Sequence, residues 1–263
     1  SKYRFLHSNL DVTFSVLLQL RFYKKDLFMV NFKTIDDLDL KGKRVLVRVD
    51  LNVPMNKGKI TDQTRAERVI PTVKEILEKG AGVILASHLG RPHGRVIPDY
   101  SLKPLIPILQ TLLPNRNITF SPDGTKEPRP GEVILLENLR FNPGEENNGL
   151  DFSRFLSGLA DIYINDAFSC SHRAHASTEG VTQLLNSAAG RLMEAELQAL
   201  DLALENPKHP VVAVVGGNKI STKLGLLENL LKKVDHLIVA GAMANTFLYA
   251  LGNSVGRSIC EAS

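Results

Sequence analysis

Three features of the sequence predict an α/β fold built on parallel sheets. Short apolar runs recur at 44–50 (RVLVRVD), 82–88 (GVILASH), 118–120, 133–138 (VILLEN), 161–166, 211–216 (VVAVVG) and 236–241 (HLIVAG). Several are apolar without alternation, as strands buried on both faces should be. Helical patterns lie between many of them, and such alternation implies parallel strands joined by right-handed crossovers. Finally, Asn206-Pro207-Lys208-His209-Pro210 breaks the chain after a long amphipathic stretch. That break places a domain boundary within residues 186–209.

In chain order, residues 1–28 stand apart. Residues 12–20 (VTFSVLLQL) are apolar with basic residues on both sides, but no small-residue cleavage site follows as a signal peptide requires. Asp11 and Asp26 speak against a transit peptide. Ordinary globular patterning begins at Met29, so the preceding stretch is expected to be an extension outside the fold, such as upstream sequence read through to a start there. Residues 64–79 carry Val69, Val73, Ile76 and Leu77 on one face, with Gly80 as a stop signal. Helices are also expected over 102–113, starting near Pro104, and over 152–160 and 191–205. Residues 122–131 (PDGTKEPRPG) are a loop. Residues 210–263 supply two strands and one clear helix, which leaves an open sheet edge and an uncovered apolar face.

Composition sets outer bounds. With 263 residues and 43% hydrophobic content, the chain can bury one large core or two smaller ones. Lys and Arg number 32 against 28 Asp and Glu, a net +4 that is too mild to imply nucleic acid. No basic patch interleaved with aromatics supports that partner either. Cys170 and Cys260 do not make a disulfide scaffold and fit a reducing compartment. No apolar run approaches the roughly 18 residues needed to span a bilayer.

The candidate chemistry lies at strand ends, where α/β sheets bind ligands. The stretch 161–175 (DIYINDAFSCSHRAH) runs from an apolar strand through Asn165 and Asp166 and a small-residue turn to His172, Arg173 and His175. These cations suggest an anionic ligand, although a solvated polar loop would read the same way. Asp50 and Asn52 lie two apart and project to one side in extended chain, suited to a polyol hydroxyl and carboxylate pair, or simply to a turn. In Ser87-His88-Leu89-Gly90-Arg91-Pro92, Gly90 allows close backbone approach, while His88 and Arg91 can donate to phosphate. Arg140 follows another strand, and Arg65 opens a helix whose N-terminus favours anions. One arginine near a strand end is usually surface; several at one rim, each offering a planar fork to phosphate, are a pattern.

Beyond the boundary, a strand leads into Gly216-Gly217, then Lys219 and Lys223 flank Ile220-Ser221-Thr222, and a helix begins. Strand, glycines, lysine and helix start suit phosphate, although glycine pairs before helices are common. The Walker A pattern is not matched. No His/Cys grouping has metal-ligand spacing, and no G-x-S-x-G elbow occurs.

The words RVDLNVP (48–54), TRAERVIPT (64–72), SHLGRP (87–92), LLENLRF (135–141), NDAFSCSHRAH (165–175), GGNKISTK (216–223) and MANTF (243–247), in this order, resemble the phosphoglycerate kinase family. The resemblance runs from about residue 32 to 261. It implies two Rossmann-like parallel-sheet domains joined by a helix, closing by hinge bending. The first, residues 29–185, would hold the triose; 186–209 would be the inter-domain helix and linker; 210–263 would start the nucleotide domain. The implied reaction is reversible phosphoryl transfer between 1,3-bisphosphoglycerate and ADP, giving 3-phosphoglycerate and ATP. Asp50 and Asn52 would hold the glycerate end. Arg65, His88, Leu89, Gly90, Arg91, Arg140 and Arg173 would complete the substrate site, with Arg65 and Lys219 acting on the moving group. Gly217, Lys219, Lys223 and Gly241 would meet the nucleotide, which binds with magnesium. Cations without a nucleophile suit direct in-line transfer, which depends on positioning and charge neutralisation, and closure would exclude water. A cytoplasmic monomer with no membrane or nucleic-acid partner is expected.

Some positions depart from the family. Ala240-Gly241-Ala242 stands where three glycines are frequent, Asn186-Ser187 where proline is common, and Cys170 at a turn position usually held by a small residue, expected to be a packing residue. Family chains also run well beyond Ser263. The magnesium-binding aspartate, a glycine-rich helix start and a ribose-side glutamate are expected in that further part. The chain is therefore expected to be an N-terminal portion, inactive alone; a non-catalytic module binding only 3-phosphoglycerate is the alternative.

Overall fold

A computed structural model describes residues 32–56, 59–204 and 207–261. The extension expected at residues 1–28 lies outside the described residues. The chain begins with β1 (Arg44–Arg48), a small hairpin of β2 (Met55–Asn56) and β3 (Lys59–Ile60), α1 (Thr64–Glu78) and β4 (Gly82–Ala86). Next come α2 (Ile106–Leu112), β5 (Ile118–Ser121), β6 (Val133–Leu136), α3 (Pro143–Glu146), α4 (Leu150–Gly158) and β7 (Ile162–Asn165). β8 (Asn186–Ala189) and α5 (Arg191–Leu204) precede β9 (Val212–Gly216), α6 (Leu224–Leu231), β10 (His236–Ala240) and α7 (Ala242–Ala250).

The main sheet has six strands in the order β5-β6-β4-β1-β7-β8, all neighbours parallel. Alternate side chains divide it into two faces. Val45, Val47, Val83, Leu85, Val133, Leu135, Ile162 and Ile164 join Val69, Val73, Ile76 and Leu77 of α1 and Leu109 of α2 in one core. Leu46, Ile84, Ile134, Leu136 and Tyr163 face the other way and pack with Phe152 and Leu156 of α4. Helices therefore cover both faces, which accounts for the unalternating apolar runs. The chain moves from β1 to one side through β4, and later returns to β1's other side at β7. The strand order reverses there, and the carboxyl ends of β1, β4 and β7 open a crevice at that point.

Three elements differ from the expectation. The expected helix over 102–113 is a 3-10 turn, Lys103–Leu105, followed by α2, with Pro104 and Pro107 near the starts of these pieces. Each proline lacks the N–H that a continuous helix would need. Residues 186–189, read as the start of the inter-domain helix and linker, instead form β8 and pair with β7. Asn-Ser-Ala-Ala has no β-branched residue, so nothing local announces a strand. Helix α7 is a second helix beyond residue 210, where the sequence pattern predicts one.

The end of β7 is tied to α5. Asp166 is fully buried, and its Oδ1 accepts from the Leu192 and Met193 amides at 2.8 and 3.1 Å, capping α5 from a neighbouring segment. A Cβ on Gly190 would lie 2.3 Å from that oxygen, so only glycine fits. The Arg191 guanidinium reaches Glu75 at 2.5 Å, Asp36 at 2.7 Å and Glu194 at 2.8 Å, clamping α5 to α1. β9 and β10 form a separate two-stranded parallel sheet. No described helix is long and apolar enough to cross a membrane.

Candidate functional site

The crevice at the strand-order reversal is a cleft of about 290 Å³ lined by Asp50, Asn52, Arg65, His88, Gly90, Arg91, Arg140, Ser169, Cys170, His172 and Arg173. Four strand ends of the main sheet contribute: β1 leads to Asp50 and Asn52, β4 to His88 through Arg91, β6 to Arg140, and β7 to Ser169 through Arg173. A larger hollow of about 510 Å³ beside Leu150 and Phe155 contains none of these cations.

One wall is pre-set by hydrogen bonds. The Asp50 carboxylate accepts from Ser169 Oγ at 2.6 Å and from the Asn52 amide at 3.0 Å, and pairs with Arg65 from the first turn of α1. Burial alone would raise the Asp50 carboxyl. The Ser169 and Asn52 hydrogen bonds and the Arg65 charge outweigh it and hold the group below its usual value. Asn52 Oδ1 accepts from the Gly90 amide at 2.9 Å, which joins the loops after β1 and β4. Gly90 has φ +64°, and a Cβ there would strike the Tyr100 ring at 2.7 Å, so glycine is required.

Other residues lining the cleft are cationic. Arg140 is buried and donates to the Gly90 carbonyl at 2.9 Å, while its Nε lies 3.4 Å from Glu146 without a hydrogen bond. Asn138 shapes this loop, accepting from the Arg140 amide at 3.1 Å and donating to the Leu89 carbonyl at 2.7 Å. Arg91 and Arg173 are exposed, and their guanidinium groups have no hydrogen-bond or ion-pair partner among the described residues. Burial, reinforced by the charges of Arg48 and Arg140, pushes His88 down to about 3, so the ring is neutral at physiological pH.

Of the residues singled out in the sequence, all the expected substrate residues line the cleft except Leu89, which is buried beneath it. His172 and Arg173 line it, whereas His175 is buried and lies 3.8 Å from Glu145. Asp166 caps α5 and does not line the cleft, and burial raises its carboxyl. Ser169 is a further cleft residue, and its sequence signal is a hydroxyl in the turn after β7. Cys170, expected only to pack, is buried yet also lines the cleft.

Sequence spacing showed no metal grouping, yet the fold brings ligand atoms of Asp50, His88 and Cys170 within 4.8 Å of one another. These residues are far apart in sequence, so no spacing rule could reveal them. Their donors are mixed and the ring already binds Arg48, in a field that favours anions. Magnesium requires hard oxygen ligands and does not fit this set.

The second group is separate from this cleft. Lys223 Nζ donates to the Gly216 carbonyl at 3.1 Å, and the Gly217 carbonyl accepts from the Met243 amide at 3.0 Å. Gly241 turns from β10 into α7 with φ 65° and ψ −151°, a conformation essentially reserved for glycine. Ala240 ends the strand and Ala242 opens the helix, so neither flanking alanine occupies that turn. Lys219 is exposed, and Glu261 near it accepts from the Ile220 and Ser221 amides at 2.8 and 3.0 Å. That carboxylate is already committed to the backbone, so this region too does not fit magnesium.

A family model described as phosphoglycerate kinase matches residues 35–263. This chain belongs to the phosphoglycerate kinase family. The phosphoglycerate kinase of Cereibacter sphaeroides is 55% identical over 240 residues, covering 88% of this chain and 60% of that protein. The one from Rhizobium meliloti is 56% identical over 241 residues, with the same coverage. Among solved structures, phosphoglycerate kinase from Coxiella burnetii superposes with a TM-score of 0.79 at 47% identity, covering 88% of this chain and 60% of that one. The Pyrococcus horikoshii structure gives 0.73 at 33% identity. The chain thus spans about 60% of the length of the family members it matches.

Proposed function

We propose that this chain carries the triose site of a phosphoglycerate kinase, and that the protein transfers a phosphoryl group reversibly between 1,3-bisphosphoglycerate and ADP, giving 3-phosphoglycerate and ATP. The observation that carries this reading is a pair of arginines, Arg91 and Arg173, without partners among the described residues, lining the same cleft as the pre-ordered Asp50 and Asn52. A small ligand with a phosphate at one end and hydroxyl and carboxyl groups at the other suits that division.

In this reading Asp50 and Asn52 hold the glycerate end, while Arg91, Arg140, Arg173 and neutral His88 hold phosphate oxygens. Arg65 neutralises charge developing on the acyl phosphate. The acyl-phosphate P–O bond breaks, a P–O bond to the ADP β-phosphate forms, and the carboxylate leaves. The reaction needs no protein nucleophile; alignment and fixed charge lower the barrier. Lys219 would follow the moving group, with Gly217, Lys223 and Gly241 on the nucleotide side. Magnesium would arrive with ADP or ATP, since the donor sets described above do not fit it. A cytoplasmic monomer belongs to the same reading, and sedimentation would reveal any dimer.

Calorimetry with 3-phosphoglycerate tests the site. A charge-assisted hydrogen bond contributes about 1.5–3 kcal/mol. Arg91→Ala should therefore weaken binding roughly 10- to 100-fold. Unchanged affinity would remove Arg91 from the site, and no binding by the unaltered chain would overturn the reading.

A further inference from the structure

Behind His88 lies a buried hydrogen-bond chain whose other members, Arg48, Ser177, Glu145 and Tyr163, do not line the cleft. Arg48, the last residue of β1, is fully buried on the face that carries Leu46 and Tyr163. Its Nε donates to Ser177 Oγ at 2.9 Å, and that hydroxyl donates onward to Glu145 Oε1 at 2.6 Å. The Ser177 amide donates to Glu145 Oε2 at 3.0 Å, and Glu145 is fully buried. Tyr163 fixes the serine from the other side, donating to its carbonyl at 2.7 Å. At the far end, one Arg48 terminal nitrogen lies 3.1 Å from His88 Nδ1.

We infer that Glu145 and Ser177 are positioning residues, which act through Arg48 to hold His88 with its proton on Nε2 as a donor to a substrate oxygen. This rests on the reading of the cleft as the triose site. A guanidinium has donors and no acceptor, so at the Arg48 contact Nδ1 must accept. The neutral ring then carries its hydrogen on Nε2, the nitrogen left for the cleft. The other charged or titratable groups facing His88 are Arg140, Arg65, Asp50 and Cys170, whose Sγ lies 3.9 Å from the same Nδ1. None of these is a donor fixed on Nδ1 as Arg48 is. Arg48 in turn is a fully buried cation, and its buried counter-charge is Glu145, reached through a single serine hydroxyl. Ser177 is well suited to this place because a hydroxyl accepts and donates at once.

The test is nuclear magnetic resonance of the full chain with ¹⁵N-labelled histidine, together with calorimetry using 3-phosphoglycerate. In the unaltered chain His88 should show Nδ1 bare and Nε2 protonated, with no titration between about pH 5 and 8. In Ser177→Ala its signals should shift toward mixed tautomers or protonation, and affinity should fall by about tenfold, the scale of one weakened hydrogen bond to a charged ligand. Ser177→Thr keeps the hydroxyl and should restore both readouts, which a merely structural role would not require. If Ser177→Ala fails to fold, the nearly isosteric Glu145→Gln carries the same comparison. A folded variant with unchanged His88 signals and affinity overturns the inference. If the unaltered chain binds no triose, the functional reading fails, and the imidazole signals alone decide the role of Ser177 and Glu145.

Discussion

The six-stranded sheet and the β9–β10 pair are written in nearly the same letters, RVLVR against VAVVG, yet they are buried very differently. Val45 and Val47 in β1 are 0% exposed, whereas Val212 and Val214 in β9 are 51% and 65% exposed, and Ile238 in β10 is 50% exposed. The first sheet has helices on both faces. An apolar run thus reports what a strand can bury, and the layers packed on it decide what it does bury. The ionisable groups differ in parallel. The first region lines its cleft with buried His88 and Arg140 and keeps a buried Arg48 behind His88, and the second presents Lys219 at an exposed surface.

The largest expected effect separates the two cores. Leu46→Ala removes a fully buried side chain and should cost about 2–5 kcal/mol, read from the denaturant midpoint. Val214→Ala, on an exposed strand face, should change stability by less than about 0.5 kcal/mol. Equal losses would show that β9 is as well covered in solution as β1, and the contrast would break.

The pH dependence should belong to the first region. His88 is held at about 3 in the fold against 6.5 when unperturbed, so between those values the unfolded chain binds the extra proton. The neutral ring's contribution is fully present above about pH 6.5 and is lost as pH falls toward 3, at a limiting slope on the order of 1 kcal/mol per pH unit. His88→Gln should flatten the stability profile over that window. A profile as steep as that of the unaltered chain would assign the acid sensitivity elsewhere.

A smaller effect than the core truncation sharpens the second region. Gly241→Ala places a side chain at φ 65° and should cost on the order of 1 kcal/mol. It should leave 3-phosphoglycerate affinity unchanged, because Gly241 does not line that cleft. A loss of triose affinity would mean that the two regions are coupled through this turn.

Much of this architecture was visible in local pattern. The strands at β1, β4, β5, β6, β7, β9 and β10 and the helices at α1, α4, α5 and α6 follow from apolar runs, 3.6-residue periodicity and glycine or proline stops, each set by neighbours a few residues away. The cleft's arginines were legible because several long cations gather at strand ends and a helix start, where one alone would be ordinary surface, and the ordered words of the family tied them together. Tertiary structure alone drew β8 into the sheet, turned Leu89, Asp166 and His175 inward, and placed Cys170 beside His88. It also joined Arg48 to Ser177 across 129 residues of chain, and Ser177 to Glu145 across 32. Local periodicity states which side of a strand a residue occupies. Which other strand lies across from that side depends on sheet order, and sheet order is settled by packing both faces at once.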